Sequence, residues 1–228
     1  MKSTKREYYI SENKLIIVGN NPFAEIANEY FTHDSNYNVV GFSVEEKFIK
    51  AGTFLDKPLV AFEELERWYN PEEHSVFVCL GYGHMNKDRT RLYLKAKDKG
   101  YGIASYVSFR SFVWKNVKIG EHCFIFEDNT IQPFVEIGDN VVMWSGNHIG
   151  HHTKIGDNCF LSSHVVVSGL CKIGKNCFLG VNSTIANDLV IGDFCVIGAA
   201  SNLVKDAISN KVYVGNPAKG IKDVDESF

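Results

Sequence analysis

A small α/β unit with a parallel sheet, followed by a parallel β-helix of hexapeptide repeats, is the fold class that the sequence predicts for this 228-residue chain. Two observations carry the prediction. From Val107 to Leu203 every sixth residue is aliphatic, seventeen in unbroken register. A period of six fits neither a 3.6-residue helix nor a hairpin meander; it is the signature of triangular coils, three hexads to a coil. Ahead of it, residues 14–100 alternate apolar runs with helical segments, the order expected of a parallel sheet with crossover helices.

In chain order, residues 1–13 form a polar, charged leader without structural signal, and Lys14–Val18 is a buried strand stopped by Gly19-Asn20-Asn21-Pro22. Asn21 can cap a helix whose first turn starts at Pro22, where a missing N–H costs no hydrogen bond. Ala24, Ile26, Ala27, Tyr30 and Phe31 give that helix an apolar face. Strands follow at Asn38–Phe42 and Pro58–Val60, then a helix over 62–69, a strand at Val76–Leu80 ending in Gly81-Tyr82-Gly83, and a helix over 87–99 stopped by Gly100. The hexads take over near Ser105. The expected division is therefore a leader 1–13, an α/β domain 14–105, a β-helix 106–208 and a C-terminal tail 209–228.

Within the hexads, the residue after the aliphatic one is glycine eight times, which suggests a turn needing room. Residues eighteen apart become vertical neighbours, about 4.8 Å from one another. Five of the six cysteines (123, 159, 171, 177, 195) fall four residues after the aliphatic position, where alternation points the side chain inward. With Cys79 in an apolar strand, they read as core filler. There is no CxxC and no zinc-like spacing, so no metal is expected.

Composition narrows the function. A net charge of −3 with no basic tract argues against nucleic acid. A polar N-terminus and the lack of any apolar run long enough for a bilayer argue against a membrane, so a soluble cytoplasmic protein is expected.

In the α/β unit, ligands should sit beyond the carboxyl ends of the strands, at Gly19–Phe23 (with Asn20 and Asn21) and Gly81–Arg89. The first loop aims a helix N-terminus at that crevice, a site for phosphate. It lacks GxGxxG, and Asn86 and Arg89 become candidates for a nucleotide pyrophosphate. The chemistry is expected among His148, His151, His152 and His164, four imidazoles within seventeen residues on consecutive coils. His151 takes the third position of its hexad, at a coil edge, and eighteen residues on stands Gly169. Bare backbone therefore bounds the space above the imidazole. A thioester approaching there would meet the Gly169 N–H, and an imidazole suits removal of a proton from an attacking amine or hydroxyl.

These residues resemble the hexapeptide-repeat acyltransferases, in particular sugar acetyltransferases of the PglD/NeuD type. The likeness spans nearly the whole chain: the hexads, the C-terminal Gly215-Asn-Pro-Ala-Lys219, and the α/β unit with its Gly81…Asn86-Lys-Asp-Arg89 loop. What the resemblance implies is a Rossmann-like domain holding a nucleotide sugar, a left-handed β-helix, a homotrimer, and acetyl-CoA in the groove between prisms. It implies His151 as general base, Gly169 N–H on the acetyl carbonyl, Gly180, Val181 and Asn182 lining the coenzyme, and Pro217 and Lys219 near its far end. The expected activity is N-acetylation of a nucleotide-linked amino sugar for surface glycan biosynthesis, with O-acetylation of a sugar or sialic acid as the alternative. From other classes stand a γ-carbonic-anhydrase-like zinc lyase and a non-catalytic nucleotide-sugar-binding protein.

Two departures from the family pattern stand out. Where many relatives carry an acidic residue after the base, this chain has His152, which leaves Asn147 or a neighbouring subunit's carboxylate to orient His151. Where an acidic pair usually ends the second strand, this chain reads Phe42-Ser-Val-Glu45.

Overall fold

The structure is a computed structural model that describes residues 13–225, so the expected leader, apart from Asn13, lies outside the described residues. The α/β unit comprises β1 (Asn13–Val18), α1 (Pro22–Asp34), β2 (Tyr37–Val44), β3 (Thr53–Phe54), β4 (Lys57–Ala61), α2 (Leu65–Trp68) after a 3-10 turn at Phe62–Glu64, β5 (His74–Val78), α3 (Lys87–Asp98) and β6 (Gly102–Ile103). Its sheet runs β3-β4-β2-β1-β5-β6 and is parallel except for the β3/β4 hairpin. β1 reads as a continuous apolar run because both faces are covered: Leu15 and Ile17 pack with Phe31 of α1, and Ile16 and Val18 with Leu92 of α3. Asn21 caps α1, its Oδ1 accepting from Phe23 N at 2.9 Å and Ala24 N at 3.1 Å.

Seventeen two-residue strands, β7 (Tyr106–Val107) to β23 (Asn202–Leu203), wind into a triangular prism. They stack as three parallel sheets, and the fold is a left-handed β-helix. The aliphatic position is no more than 4% exposed from Ile125 to Leu203, whereas Val107 is 39% exposed because the first coil is the open end. All six cysteines are buried. Burial pushes the thiols of Cys79 and Cys171 up, and that of Cys123 to about 12, so they rest as neutral filler.

The corners turn differently from the expectation. From His122 to Ala200 the left-handed residue is the fourth of its hexad, as at Phe134, Asn140, His152, His164 and Leu170. The glycines at the second position give room between coils instead: a Cβ on Gly156 would lie 2.8 Å from the backbone of Gly174.

Residues 209–223, expected as a tail, cap the prism. β24 (Lys211–Gly215) extends the first sheet beside β22 (Val196–Ile197), and β25 (Ala218–Asp223) folds back on it. The α/β unit lies on the same first sheet, where Phe124, Phe126, Val142 and Phe160 share one apolar cluster with Leu15, Phe31 and Phe77. Burial of this aromatic seam, at roughly 25 cal/mol per Å², fixes the crevice above the prism.

Candidate active site

The prism has three corners, and the sequence-predicted residues divide among them. After β14 (His148–Ile149) the chain turns from the second to the third sheet through Gly150, His151, His152 and Thr153. His151 is exposed, and its imidazole lies against Gly169 in the next coil: a Cβ there would sit 2.9 Å from both Nε2 and Cε1. The Gly169 N–H donates to no acceptor among the described residues, whereas the equivalent N–H of Glu121 and of Lys175 is taken by an Asp side chain of the next coil. The corner thus presents a bare imidazole nitrogen, a free N–H donor and no side chain between.

His151 Nδ1 lies 3.1 Å from His152 Nδ1, and the His152 ring stacks on Phe134 at 4.6 Å. Asn147 does not reach His151. It is 1% exposed, with Nδ2 donating to Trp144 O at 2.5 Å and Oδ1 accepting from Val165 N at 2.7 Å. It falls four residues after Met143, at the same inward position as the cysteines, and its amide holds stacked coils together.

The first-to-second-sheet corner carries His164, Gly180, Val181 and Asn182. His164 is exposed and its ring covers Gly146, where a Cβ would lie 2.6 Å from Nδ1. His148 is half-buried, on the outer surface of the second sheet between the two corners. Pro217 and Lys219 are exposed at the hairpin, tied to the top of that sheet by Asn202 Nδ2 donating to Asn216 Oδ1 at 3.1 Å. That is three strand steps above β14, a rise of roughly 14 Å.

In the α/β unit, Gly19 is required because a Cβ would lie 2.7 Å from Cys79 O and its φ is +147°. Asn20 and Asn21 are half-buried at the crevice. Asn21 is fully engaged, since its Nδ2 also donates to Cys79 O at 3.0 Å, so it ties the two strand ends rather than waiting for phosphate.

Asn86 and Arg89 do not face the crevice: both are 0% exposed. Arg89 donates from Nε to Asn140 Oδ1 and from Nη1 to Asn86 Oδ1, so the pair joins the two units. Glu45, just past the end of β2, accepts from Arg91 Nη1 and Nη2 at 2.9 Å each, which holds it below the usual carboxylate range. Gly81 is exposed, and beside it Tyr82, a residue the sequence reading passed over, packs on Phe160 and Phe178 with 44% exposure. An aromatic between two glycines at a strand's carboxyl end was the available signal.

No group of three or more His, Cys, Asp or Glu placed to hold a metal occurs among the described residues, nor is any helix long and apolar enough to cross a membrane.

A family model, bacterial transferase hexapeptide (six repeats), matches residues 170–203. No curated protein matches the chain. Among solved structures, the acetyltransferase domain of PglB from Neisseria gonorrhoeae FA1090 superposes with a TM-score of 0.82 at 18% identity, over 92% of this chain and 100% of that one. PerB from Caulobacter crescentus, in complex with CoA and GDP-perosamine, gives 0.81 at 22% identity, over 92% and 98%. WeeI from Acinetobacter baumannii AYE gives 0.59 at 16%, over 91% and 99%. The order of α/β unit and β-helix is common to them all.

Proposed function

We propose that the chain is an acetyl-CoA-dependent N-acetyltransferase acting on a nucleotide-linked amino sugar for surface glycan biosynthesis, working in the cytoplasm where both substrates are made. The observation that carries the reading is the His151–Gly169 corner, an exposed imidazole set against a free backbone N–H. The likeness to PerB, whose structure holds CoA and GDP-perosamine, supports the substrate class.

In this reading the sugar amine attacks the thioester carbonyl carbon while the carbonyl oxygen, gaining charge, accepts the Gly169 N–H. His151 Nε2 takes the proton that the amine sheds, the C–S bond breaks, and CoA leaves as the thiolate. The nucleotide occupies the crevice beside Asn20, Gly81 and Tyr82.

Within one prism the base and the Gly180–Asn182 segment stand on different corners. A homotrimer that sets one copy's second-to-third-sheet corner against the next copy's first-to-second-sheet corner unites them, with the coenzyme running up the groove toward Pro217 and Lys219.

The test is a panel of UDP-, dTDP- and GDP-linked amino sugars with acetyl-CoA, reading free thiol and product mass. Thiol release with a product heavier by one acetyl group is expected for one nucleotide class. No transfer to any of them, or full transfer by His151→Ala, refutes the reading.

A further inference from the structure

The residue that follows His151 is a second histidine, and the structure puts the two imidazoles in direct contact. The two Nδ1 atoms lie 3.1 Å apart with the rings nearly perpendicular, at 87°. The His152 ring is held on the other side by Phe134, stacked at 26°, and its backbone N donates to Pro133 O at 3.1 Å. His151 is fixed in turn by its own N–H on Gln132 Oε1 at 2.9 Å. The His151 ring lies against Gly169 and the His152 ring against Phe134, neither of them titratable. The histidine ion pairs among the described residues are elsewhere, at His33–Glu29 and His84–Asp88.

Between two neutral imidazoles at this distance one Nδ1 carries the hydrogen and the other accepts it. If His152 donated, His151 would hold its hydrogen on Nε2 and face Gly169 as a donor, without basicity. If His151 donates, its Nε2 is a bare lone pair aimed at the Gly169 backbone.

We propose that His152 is the positioning residue of the base. Its Nδ1 accepts the His151 Nδ1–H and sets the tautomer, and Phe134 holds its ring in place. This deepens, and rests on, the acetyltransferase reading.

The pair also narrows the substrate class. When His151 Nε2 takes a proton, the imidazolium keeps its Nδ1–H on a neutral acceptor, with no carboxylate to offset the charge. That suits a nucleophile that attacks as a neutral amine and sheds its proton once the C–N bond has formed. A hydroxyl needs its proton drawn off during attack and is poorly served.

The experiment uses the full-length protein, wild type and the variants His152→Ala, His152→Asn and Phe134→Leu. Ring nitrogen NMR at neutral pH, which needs no turnover, is expected to show His151 with its hydrogen on Nδ1 in the wild type and on Nε2 in His152→Ala. A wild-type His151 protonated on Nε2 overturns the proposal. In kinetics His152→Ala is expected to lower kcat about tenfold or more with KM for acetyl-CoA unchanged. Asparagine, whose side-chain oxygen is an acceptor, restores much of that loss. An unchanged kcat in His152→Ala, no recovery in His152→Asn, or equal turnover of the matching hydroxyl sugar overturns it. If instead His151→Ala retains full activity, the acetyltransferase reading fails while the tautomer measurement still stands on its own.

Discussion

Arg89 and Asn140 bind each other twice across the junction of the two units, Nε donating to Oδ1 at 2.8 Å and Nη2 to the backbone O at 2.9 Å. The guanidinium is fully buried, and its remaining acceptors are Asn86 Oδ1 and Cys159 O, neutral oxygens all. Burial lowers its pKa to about 10, so it remains charged at neutral pH. Arg89→Ala leaves these oxygens dry and opens a cavity, and a loss of about 3 kcal/mol or more is expected. Arg89→Met fills the space with no charge to desolvate and should cost less. Urea midpoints at constant m-value check both.

His122 makes the same junction acid-sensitive. It is fully buried between Phe77 and Tyr93, accepts Val78 N on Nε2 at 2.8 Å and contacts Asn140 Oδ1 through Nδ1 at 2.8 Å. With Nε2 accepting, the hydrogen sits on Nδ1 and the ring is neutral. Burial, with a lesser push from Arg89, lowers its pKa from 6.5 to about 3. Between those values the unfolded chain binds a proton that the folded chain refuses. Stability from this residue is therefore complete above about pH 6.5 and falls by about 1.4 kcal/mol for each unit below it. His122→Gln should flatten the dependence of the urea midpoint on pH between 6.5 and 4, whatever it does to the absolute value. A slope equal to wild type refutes the assignment.

Gly169→Ala isolates the close approach to the His151 ring. A Cβ 2.9 Å from the imidazole displaces the ring from its place over the backbone, while the glycine's φ lies outside the left-handed region and does not resist substitution. A fall in kcat of about 10²-fold or more is expected, with the thermal midpoint nearly unchanged. Steady-state kinetics beside a melting curve separates the two.

The prism was legible because its constraint repeats: a side chain every sixth residue either fits the interior or breaks the stack. His151 and Gly169 could be paired by counting eighteen. The same counting places Asn147 at the inward position beside Cys159 and Cys171, so its burial was readable too. Asn21-Pro22 was legible because a cap is local chemistry. Arg89 was not, because on a helix reading KDRTRLYLKAKD one cation looks like the next, and what separates it is Asn140, 51 residues away. The β24–β25 hairpin leaves the six-residue rhythm, and β3 and β6 are two residues each, too short for any period. The contact between His151 and His152 depends on rotamers, which the order of residues does not fix.

Phe134 and Leu170 stand eighteen and fifty-four residues on from Asn116 in the column that also holds His152, all at one corner. Both are bulky, both hold a positive φ, and they are 55% and 48% exposed. A left-handed conformation costs such residues about 1–2 kcal/mol, and leaving their side chains in water wastes the burial that would offset it. A second copy against this corner would bury both side chains, offsetting the backbone cost, and would bring the far corner's Gly180–Asn182 segment to His151. Leu170→Glu places a carboxylate in that contact. Sedimentation is expected to show wild type at three times the 25.6 kDa chain and the variant at one, with circular dichroism unchanged and acetyl transfer lost as the corners part. A variant that sediments as wild type would show that the copies, if they assemble, meet elsewhere, and the split corners would then need another way to share a substrate.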